Sequence, residues 1–351
     1  MKTAGLLMLL LLSVPAFAGG YRDDPKTGLL HQRLSEDYGF SAADLEAVDA
    51  ALDSAERLPA LVQAERQNKE ATTPLWDDYR RIHIFPKQIS DGLDLLDRYA
   101  PYFERAEQEY GVPDVVIAGI LGVETKYGRF TGRNRVLDAL ATQGYEHPTR
   151  APFFFEELVQ FFVLCRDDRL AVTEVRGSYA GAMGYAQFMP SNYRTLARDY
   201  DDDGRVDLWT MPDAIGSIAH YFTRYQPPDR PAAHWQRGEP LLVPVKAVEL
   251  KAHAPPLNTR NANSTIAGWI AVGVTPAVEM PPTLPAGLIQ LNRADGPEYW
   301  LALGNFYSVM SYNPRVFYAM AVAQLAAELQ AARSARALAA TAAPAEAIAT
   351  P

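Results

Sequence analysis

The stretch AGILGVETKYGRF, residues 118–130, sets one carboxylate, Glu124, at the end of an apolar run that stops at Gly128. Just upstream, Pro113 and Asp114 follow Gly111. That pattern opens a helix, because a proline in the first turn lacks only an N–H that would have no partner there. Val116, Ile117, Ile120, Leu121 and Glu124 recur at three- and four-residue steps, so they share one helical face. Gly128 is a natural stop. The stretch therefore reads as a helix with a buried apolar stripe that ends in an acid. Desolvation and the negative end of the helix dipole both disfavour charge on that acid, so its pKa is expected to rise. A carboxylic acid that stays protonated near neutrality suits a general acid. The residues alone leave a second reading open, a structural acid paired with a neighbour such as Arg129.

Outward from this helix, composition sets the frame. At 351 residues, 48% hydrophobic and 21% charged, the chain has ordinary globular content and can bury one large or two moderate cores. A net charge of −9 provides no broad footprint for nucleic acid or anionic lipid. The first eighteen residues read as a secretory signal peptide. Lys2 supplies the positive start, Gly5 to Leu12 the apolar core, and Ala16-Phe17-Ala18 a small-x-small cleavage site. The apolar run is too short to span a bilayer. With no cysteine near the cleavage site, no lipid anchor and no membrane anchor are expected, and the mature protein is expected to be periplasmic and monomeric. The lone cysteine, Cys165, rules out an internal disulfide. Its apolar surroundings suit a packed small hydrophobe. Neither HExxH nor a cysteine pair is present, so no zinc site is expected.

Residues 19–235 read as mostly helical. SAADLEAVDAAL opens with the capping box Ser41-x-x-Asp44. SDGLDLLDRYAPYFERAEQEY reads as one helix capped by Ser90, FFFEELVQFFVLCRDD as a buried helix, and DAIGSIAHYFTRY as another that starts near Pro212 and Asp213. Beyond Pro227 the character changes. A turn-rich connector precedes the strand-like LLVPVKAVEL; TIAGWIAVGV is ambiguous; AGLIQLNRADGPEYWLALGNFY reads as two strands joined at Asp295-Gly296. The expected architecture is mainly α, with a small inserted β-containing segment at 236–308 and a return helix at 309–332. An Ala/Pro-rich tail at 333–351 is expected to be disordered.

A second constellation is RGSYAGAMGYAQFMPSNY, residues 176–193. It mixes Gly177, Gly181 and Gly184 with alanines and with Ser178, Tyr179, Tyr185, Gln187 and Asn192. Small residues let a backbone approach a ligand closely, and Gln, Asn and Tyr provide hydrogen bonds and flat stacking surfaces. A glycine-rich turn entering a packed helix would look similar. The pattern is neither a dinucleotide nor a P-loop fingerprint.

Taken in order, GVETKYGRFTG, LDALAT, GSYAGAMGYAQFMPSNY, LWTMPDAIGSIAHYF and NFYSVMSYN resemble the B-type lytic murein transglycosylases, glycoside hydrolase family 103, from about Leu29 to Leu329. The resemblance implies a lysozyme-like helical core with a smaller inserted domain. It implies cleavage of peptidoglycan glycan strands between N-acetylmuramic acid and N-acetylglucosamine, closing a 1,6-anhydro ring on the muramic acid without addition of water. By the same resemblance, Glu124 falls on the catalytic acid/base and Ser178 on a serine that hydrogen-bonds it. Gln187 falls on a substrate-contact position, and Tyr79 and Tyr221 on groove aromatics. Arg150 falls on an arginine for the peptide or lactyl part, and Tyr312, Asn313 and Tyr318 on the far side of the cleft. Some members carry two adjacent arginines where this chain has Thr149-Arg150, so one cation is missing.

Ordinary glycosidases use two carboxylates, and the glycine-rich motif offers none. A substrate-assisted route needs one acid/base, with the muramic N-acetyl group taking the place of the second carboxylate and Ser178 and Asn313 orienting the parts. No cofactor is required for such chemistry. DYDDDGRVDLWT, residues 199–210, places Asp199, Asp201 and Asp203 at positions 1, 3 and 5 of an EF-hand-like loop, with Gly204 at 6 and the Arg205 carbonyl at 7. Asp207 stands at 9, and position 12 is Thr210 where a bidentate acid is usual. The resemblance implies a structural calcium or sodium here; a solvated acidic turn is the alternative. Two rival functions share the substrate: a hydrolytic muramidase, and a catalytically silent peptidoglycan-binding protein. A calcium sensor is disfavoured by the single incomplete loop.

Overall fold

A computed structural model of the chain describes residues 20–67 and 75–342. The signal segment 1–18 and residues 343–351 of the expected tail lie outside the described residues. The first part of the chain is helical: α1 (Thr27–Tyr38), α2 (Ala42–Ser54), α3 (Pro59–Gln67), α4 (Trp76–His83), α5 (Pro86–Arg98), α6 (Ala100–Tyr110) and α7 (Asp114–Thr125). Then come β1 (Asn134–Arg135), α8 (Val136–Glu146), α9 (Ala151–Asp167), β2 (Arg176–Gly177), α10 (Pro190–Leu196) and α11 (Met211–Arg224). The last part holds β3 (Leu242–Val248), β4 (Ser264–Thr265), α12 (Ile266–Ala271), β5 (Val274–Pro276), β6 (Pro285–Arg293), β7 (Gly296–Ala302), α13 (Gly304–Tyr312) and α14 (Val316–Ala342). The fold is mainly α with a small sheet, as the sequence implies. No helix among the described residues is long and apolar enough to cross a membrane.

The chain divides into two compact units, and the division runs differently from the expected domain cut. One unit joins the segment ending at Val62 to Leu137–Val175; the other joins Gln63–Val136 to the chain from Arg176 onward. In the first unit α1 packs on α2 and α9. The Ser41 capping box forms in full: Ser41 Oγ accepts from the Asp44 N–H and the Asp44 carboxylate accepts from the Ser41 N–H. α9 carries Cys165 in its buried interior, where burial pushes the thiol up to about 12.

The second unit is built around α7. The apolar stripe read from the sequence understates its burial. Val115 through Val123 and Thr125 are all buried, because α5, α6, α11 and α14 pack against it from different sides. Pro113 is the N-cap, so the helix begins at Asp114. Gly119 and Gly122 admit α14: a Cβ on Gly119 would lie 3.0 Å from the Val322 carbonyl oxygen, and one on Gly122 2.7 Å from Leu325 Cδ2. The sheet order is β4-β6-β7-β3-β5, each pairing antiparallel. Val243, Ile266, Trp269, Leu288 and Leu301 form its small core.

Several element boundaries differ from expectation for local reasons. The single helix expected from Ser90 is two, α5 and α6, and Ser90 lies inside α5; Pro101 at the start of α6 forces the break at Tyr99. The hairpin turns on Ala294 and Asp295, and Gly296, at φ 120°, already belongs to β7, paired with Arg293. TIAGWIAVGV forms α12, capped by Thr265, and then β5. The return helix is α13 and α14, interrupted at Asn313-Pro314. α14 also continues to Ala342, so residues 333–342 of the expected disordered tail are helical. Alanine favours the helix, and Arg333 and Arg336 tie this end to Asp114 and Asp97.

The tight approach of α14 to α7 makes a specific prediction. Gly119→Val should cost about 1–3 kcal/mol through overpacking. It would be read as a lowered melting temperature in thermal unfolding; an unchanged value would show that the contact tolerates a side chain.

Candidate active site

α7 delivers Glu124 to its C-terminal end, and the chain then leaves through three successive left-handed residues. Lys126, Tyr127 and Gly128 have φ of 48°, 62° and 86°. The N–H groups of Lys126 and Tyr127 close the helix on the carbonyls of Gly122 and Leu121. Two non-glycine residues in this region store strain. Packing holds them: the Tyr127 ring fills the space left by Gly92 and Gly122, where a Cβ would lie 2.5 Å and 2.9 Å from its hydroxyl.

Glu124 is half-buried as a residue, at the buried C-terminal end of α7. Desolvation pushes its pKa up to about 7, opposed by one hydrogen bond, the Tyr318 hydroxyl donating to Oε1 at 2.6 Å. Arg129, the expected partner of a merely structural acid, pairs with Asp91 at 2.9 Å. The acid is thus kept without a cation, the condition for a proton donor near neutrality. Tyr79, Tyr312 and Tyr318 are all raised first by burial and next by the charge of Glu124.

Aromatic rings line this surroundings. On α4, Tyr79 is half-buried and packs on Trp76, His83 and Phe317, with ring centroids at 6.1, 4.7 and 5.6 Å. Burial and then Lys126 lower His83 to about 4, so its ring is neutral. Across the site Tyr312 stacks on Tyr318 at 6.4 Å with an interplanar angle of 11° and donates to the Ala186 carbonyl at 2.5 Å.

Residues 176–189 form the facing loop. Gly177 pairs with Asn134 and bridges Met183, and Met183 exchanges backbone hydrogen bonds with Phe188. A Cβ on Gly132 would lie 1.9 Å from the Gly177 carbonyl oxygen, and one on Gly177 2.3 Å from that of Ala182. The small residues therefore serve, first, backbone packing on backbone.

The remaining expected residues take these places in the structure. Ser178 does not hydrogen-bond Glu124; its Oγ accepts from the N–H groups of Ala180 and Ala182, because the tight loop needs its donors satisfied locally. Its hydroxyl proton is left to donate. The bond expected from Ser178 comes instead from Tyr318, which is buried and does not face outward as a groove residue. Tyr221 is only 2% exposed, with its hydroxyl on the Ser311 carbonyl and its ring on Tyr225 and Tyr312. It backs the wall that Tyr312 presents. Gln187 sits at φ 51° and spends its Nε2 on the carbonyls of Thr131 and Gly184, which leaves Oε1 as an acceptor. Asn313 ends α13 with its side-chain amide unengaged among the described residues. Arg150 belongs to the other compact unit, where its guanidinium lies over Phe153 and Phe154.

The acidic loop is also rearranged. Asp199, Asp201 and Asp213 bring carboxylate oxygens within 4.8 Å of one another. Asp203 stands outside this cluster and accepts from the Arg205 N–H, and Thr210 donates to the Asp207 carbonyl as it enters α11. Sequence reasoning missed Asp213, which stands three residues past the expected twelfth position. A buried acid in the first turn of an apolar helix was the available signal.

A raised carboxyl pKa also makes a prediction about stability. Between the ordinary value of 4.5 and about 7, the folded chain binds this proton more tightly than the unfolded chain, so its contribution to stability falls as pH rises through that window. Glu124→Gln, which mimics the protonated acid, should raise the melting temperature, and the gain should grow from pH 4.5 to pH 7. A gain independent of pH would show that the acid is not desolvated as described.

Comparison with known proteins places the chain in a family. The family model for the transglycosylase SLT domain matches residues 27–327. The chain is 35% identical over 341 residues to membrane-bound lytic murein transglycosylase B of Escherichia coli (strain K12), covering 94% of this chain and 90% of that one. The solved structure of the Escherichia coli lytic transglycosylase SLT35 in complex with calcium aligns with a TM-score of 0.78 at 34% identity, covering 90% of this chain and 96% of that one. SltB3 from Pseudomonas aeruginosa in complex with NAG-NAM-pentapeptide aligns with a TM-score of 0.70 at 28% identity, covering 87% and 78%.

Proposed function

The chain belongs to the transglycosylase SLT-domain family and is a peptidoglycan lytic transglycosylase, and from that premise we propose that Glu124 alone serves as its acid and base. The observation that carries this reading is the desolvated carboxyl of Glu124, pushed up to about 7 by burial and paired with no cation. Two-carboxylate hydrolysis needs its partner about 5–9.5 Å away.

The steps follow from the residues. Protonated Glu124 donates to the glycosidic oxygen as the bond to the muramic C1 breaks. The N-acetyl carbonyl of the same muramic sugar stabilises the cation that develops at C1. Glu124, now ionised, accepts the proton of the C6 hydroxyl as its oxygen closes on C1. The acid is regenerated, and no water is consumed. The Tyr318 hydroxyl holds Oε1 throughout, and its bond strengthens when the carboxylate is charged. Tyr79 and Tyr312 supply ring surfaces for the sugars. We assign Ser178, through its remaining proton, and Asn313, through its side-chain amide, to the acetamido and hydroxyl groups. Gln187 contributes its Oε1 as an acceptor.

We also propose a structural cation at Asp199, Asp201 and Asp213. The donor set is hard oxygen, which suits calcium or sodium. Asp201 Oδ1 is buried without a hydrogen-bond partner, and Asp213 is raised by burial and by the charges of Asp201 and Asp199. A bound cation would relieve both. The apolar segment ending in Ala16-Phe17-Ala18 supports a periplasmic location for the mature enzyme.

Two experiments test these readings. Mass spectrometry of muropeptides released from purified sacculi should show products lighter by one water than their hydrolytic counterparts, and Glu124→Gln should release none. Reducing, hydrated products would make the enzyme a muramidase, and no release by the unaltered chain would leave a binding protein. For the cation, calcium should raise the melting temperature of the unaltered chain by mass action, and Asp213→Asn should abolish that rise. A calcium-independent transition would exclude the site.

A further inference from the structure

We propose that Thr125, the residue after the catalytic acid, is a positioning residue that locks Glu124 to the glycine-rich loop, so that acid and loop meet the glycan as one rigid surface. The proposal rests on the reading of Glu124 as the acid/base.

Thr125 is fully buried, at 0% exposure, and both its hydroxyl and its carbonyl are engaged. Its Oγ1 accepts from the Gly128 N–H at 2.9 Å. Its single hydroxyl proton lies between two carbonyls, Leu121 at 3.2 Å and Tyr185 at 3.3 Å. Its own carbonyl accepts from the Phe130 N–H at 3.0 Å. A threonine that only finished a helix would need the bond to Leu121 alone, four residues back. The bond to Tyr185 joins two segments sixty residues apart.

The same junction is closed by shape. Gly128 lies flat against the Tyr185 ring, where a Cβ would come within 2.9 Å of Cε1. Tyr185 is fixed in turn by its N–H on the Leu208 carbonyl at 2.7 Å, and the adjoining residues by the Met183–Phe188 pair. Gln187 ties the loop back to Thr131. Thr125 therefore sits where the helix that carries the acid, the strained left-handed exit and the loop that carries Ser178 and Gln187 come together. Left-handed Lys126 and Tyr127 are the residues through which the chain would relax if the hydroxyl clamp were removed. Because Glu124 and Thr125 share a peptide bond, that relaxation moves the acid.

The test compares Thr125→Val, Thr125→Ala and Thr125→Ser with the unaltered enzyme on soluble glycan strands, with melting temperatures in parallel. Removing the hydroxyl, in Val or in Ala, should lower kcat by about tenfold to a hundredfold, the scale of a misplaced catalytic group, with KM nearly unchanged. Thr125→Ser, which keeps the hydroxyl, should restore most of kcat; the Ala and Ser pair differs by that oxygen alone and overpacks nothing, so it decides the matter if Val does not fold. Equal kcat for Ala and Ser, a rise in KM that accounts for the loss, or an unchanged kcat in Val would overturn the clamp. Glu124→Gln is the control. If it is inactive while Thr125→Val is fully active, only the positioning role fails; if it turns over, the assignment of the acid fails first.

Discussion

A desolvated carboxyl group at the negative end of a buried helix is the constraint on which the rest of the larger unit depends. Left to itself, such a group would draw in water or a cation. Instead, Arg129 is held by Asp91, and the nearest polar neighbour is a tyrosine hydroxyl. A hydroxyl stabilises the charged form less than a guanidinium would, so the pKa stays high while the carboxyl keeps a fixed orientation. The packing follows from the same need. α7 is buried on all sides, and its glycines are the places where a neighbouring helix presses directly on its backbone.

The exit from α7 shows how precision is maintained at the edge of that core. Strain at Lys126 and Tyr127 persists because the Tyr127 ring is wedged among α5 and α7 and because Thr125 bonds the turn to the opposite loop. The glycine-rich loop gains its form in the same manner. Gly177 and Gly184 face the carbonyl oxygens of Ala182 and Leu208 at distances no side chain could share, and Ser178 and Gln187 satisfy local backbone groups before any ligand arrives. Some groups expected to touch substrate thus hold the loop's own backbone. A similar division holds for the aromatics, where Tyr221 supports and Tyr312 presents.

Much of this was legible in sequence. Glu124 ends a periodic apolar run, the mainly helical character follows from three- and four-residue spacing, and the alternation near Leu242 and around Asp295 marks strands. These are short-range signals: each is read from residues within one or two turns of one another, and backbone geometry alone translates them into a helix or a strand. Boundaries failed where a proline or a strong helix former acted at an end, as at Pro101, Pro314 and the alanines past Arg333.

What only the tertiary structure decided is which distant groups meet. The hydrogen bond from Tyr318 to Glu124 spans most of the chain, Asp213 enters the acidic cluster from the start of α11, and Thr125 reaches Tyr185. No local pattern encodes such pairings, because they depend on how helices cross and how closely backbones approach. The sequence by itself determined that one carboxylate, Glu124, ends an apolar helical face in a mainly helical frame, and left its partner open. The fold determined the partners that hold the acid, since a hydrogen bond needs atoms within about 3 Å and only packing brings residues far apart in the chain to that distance.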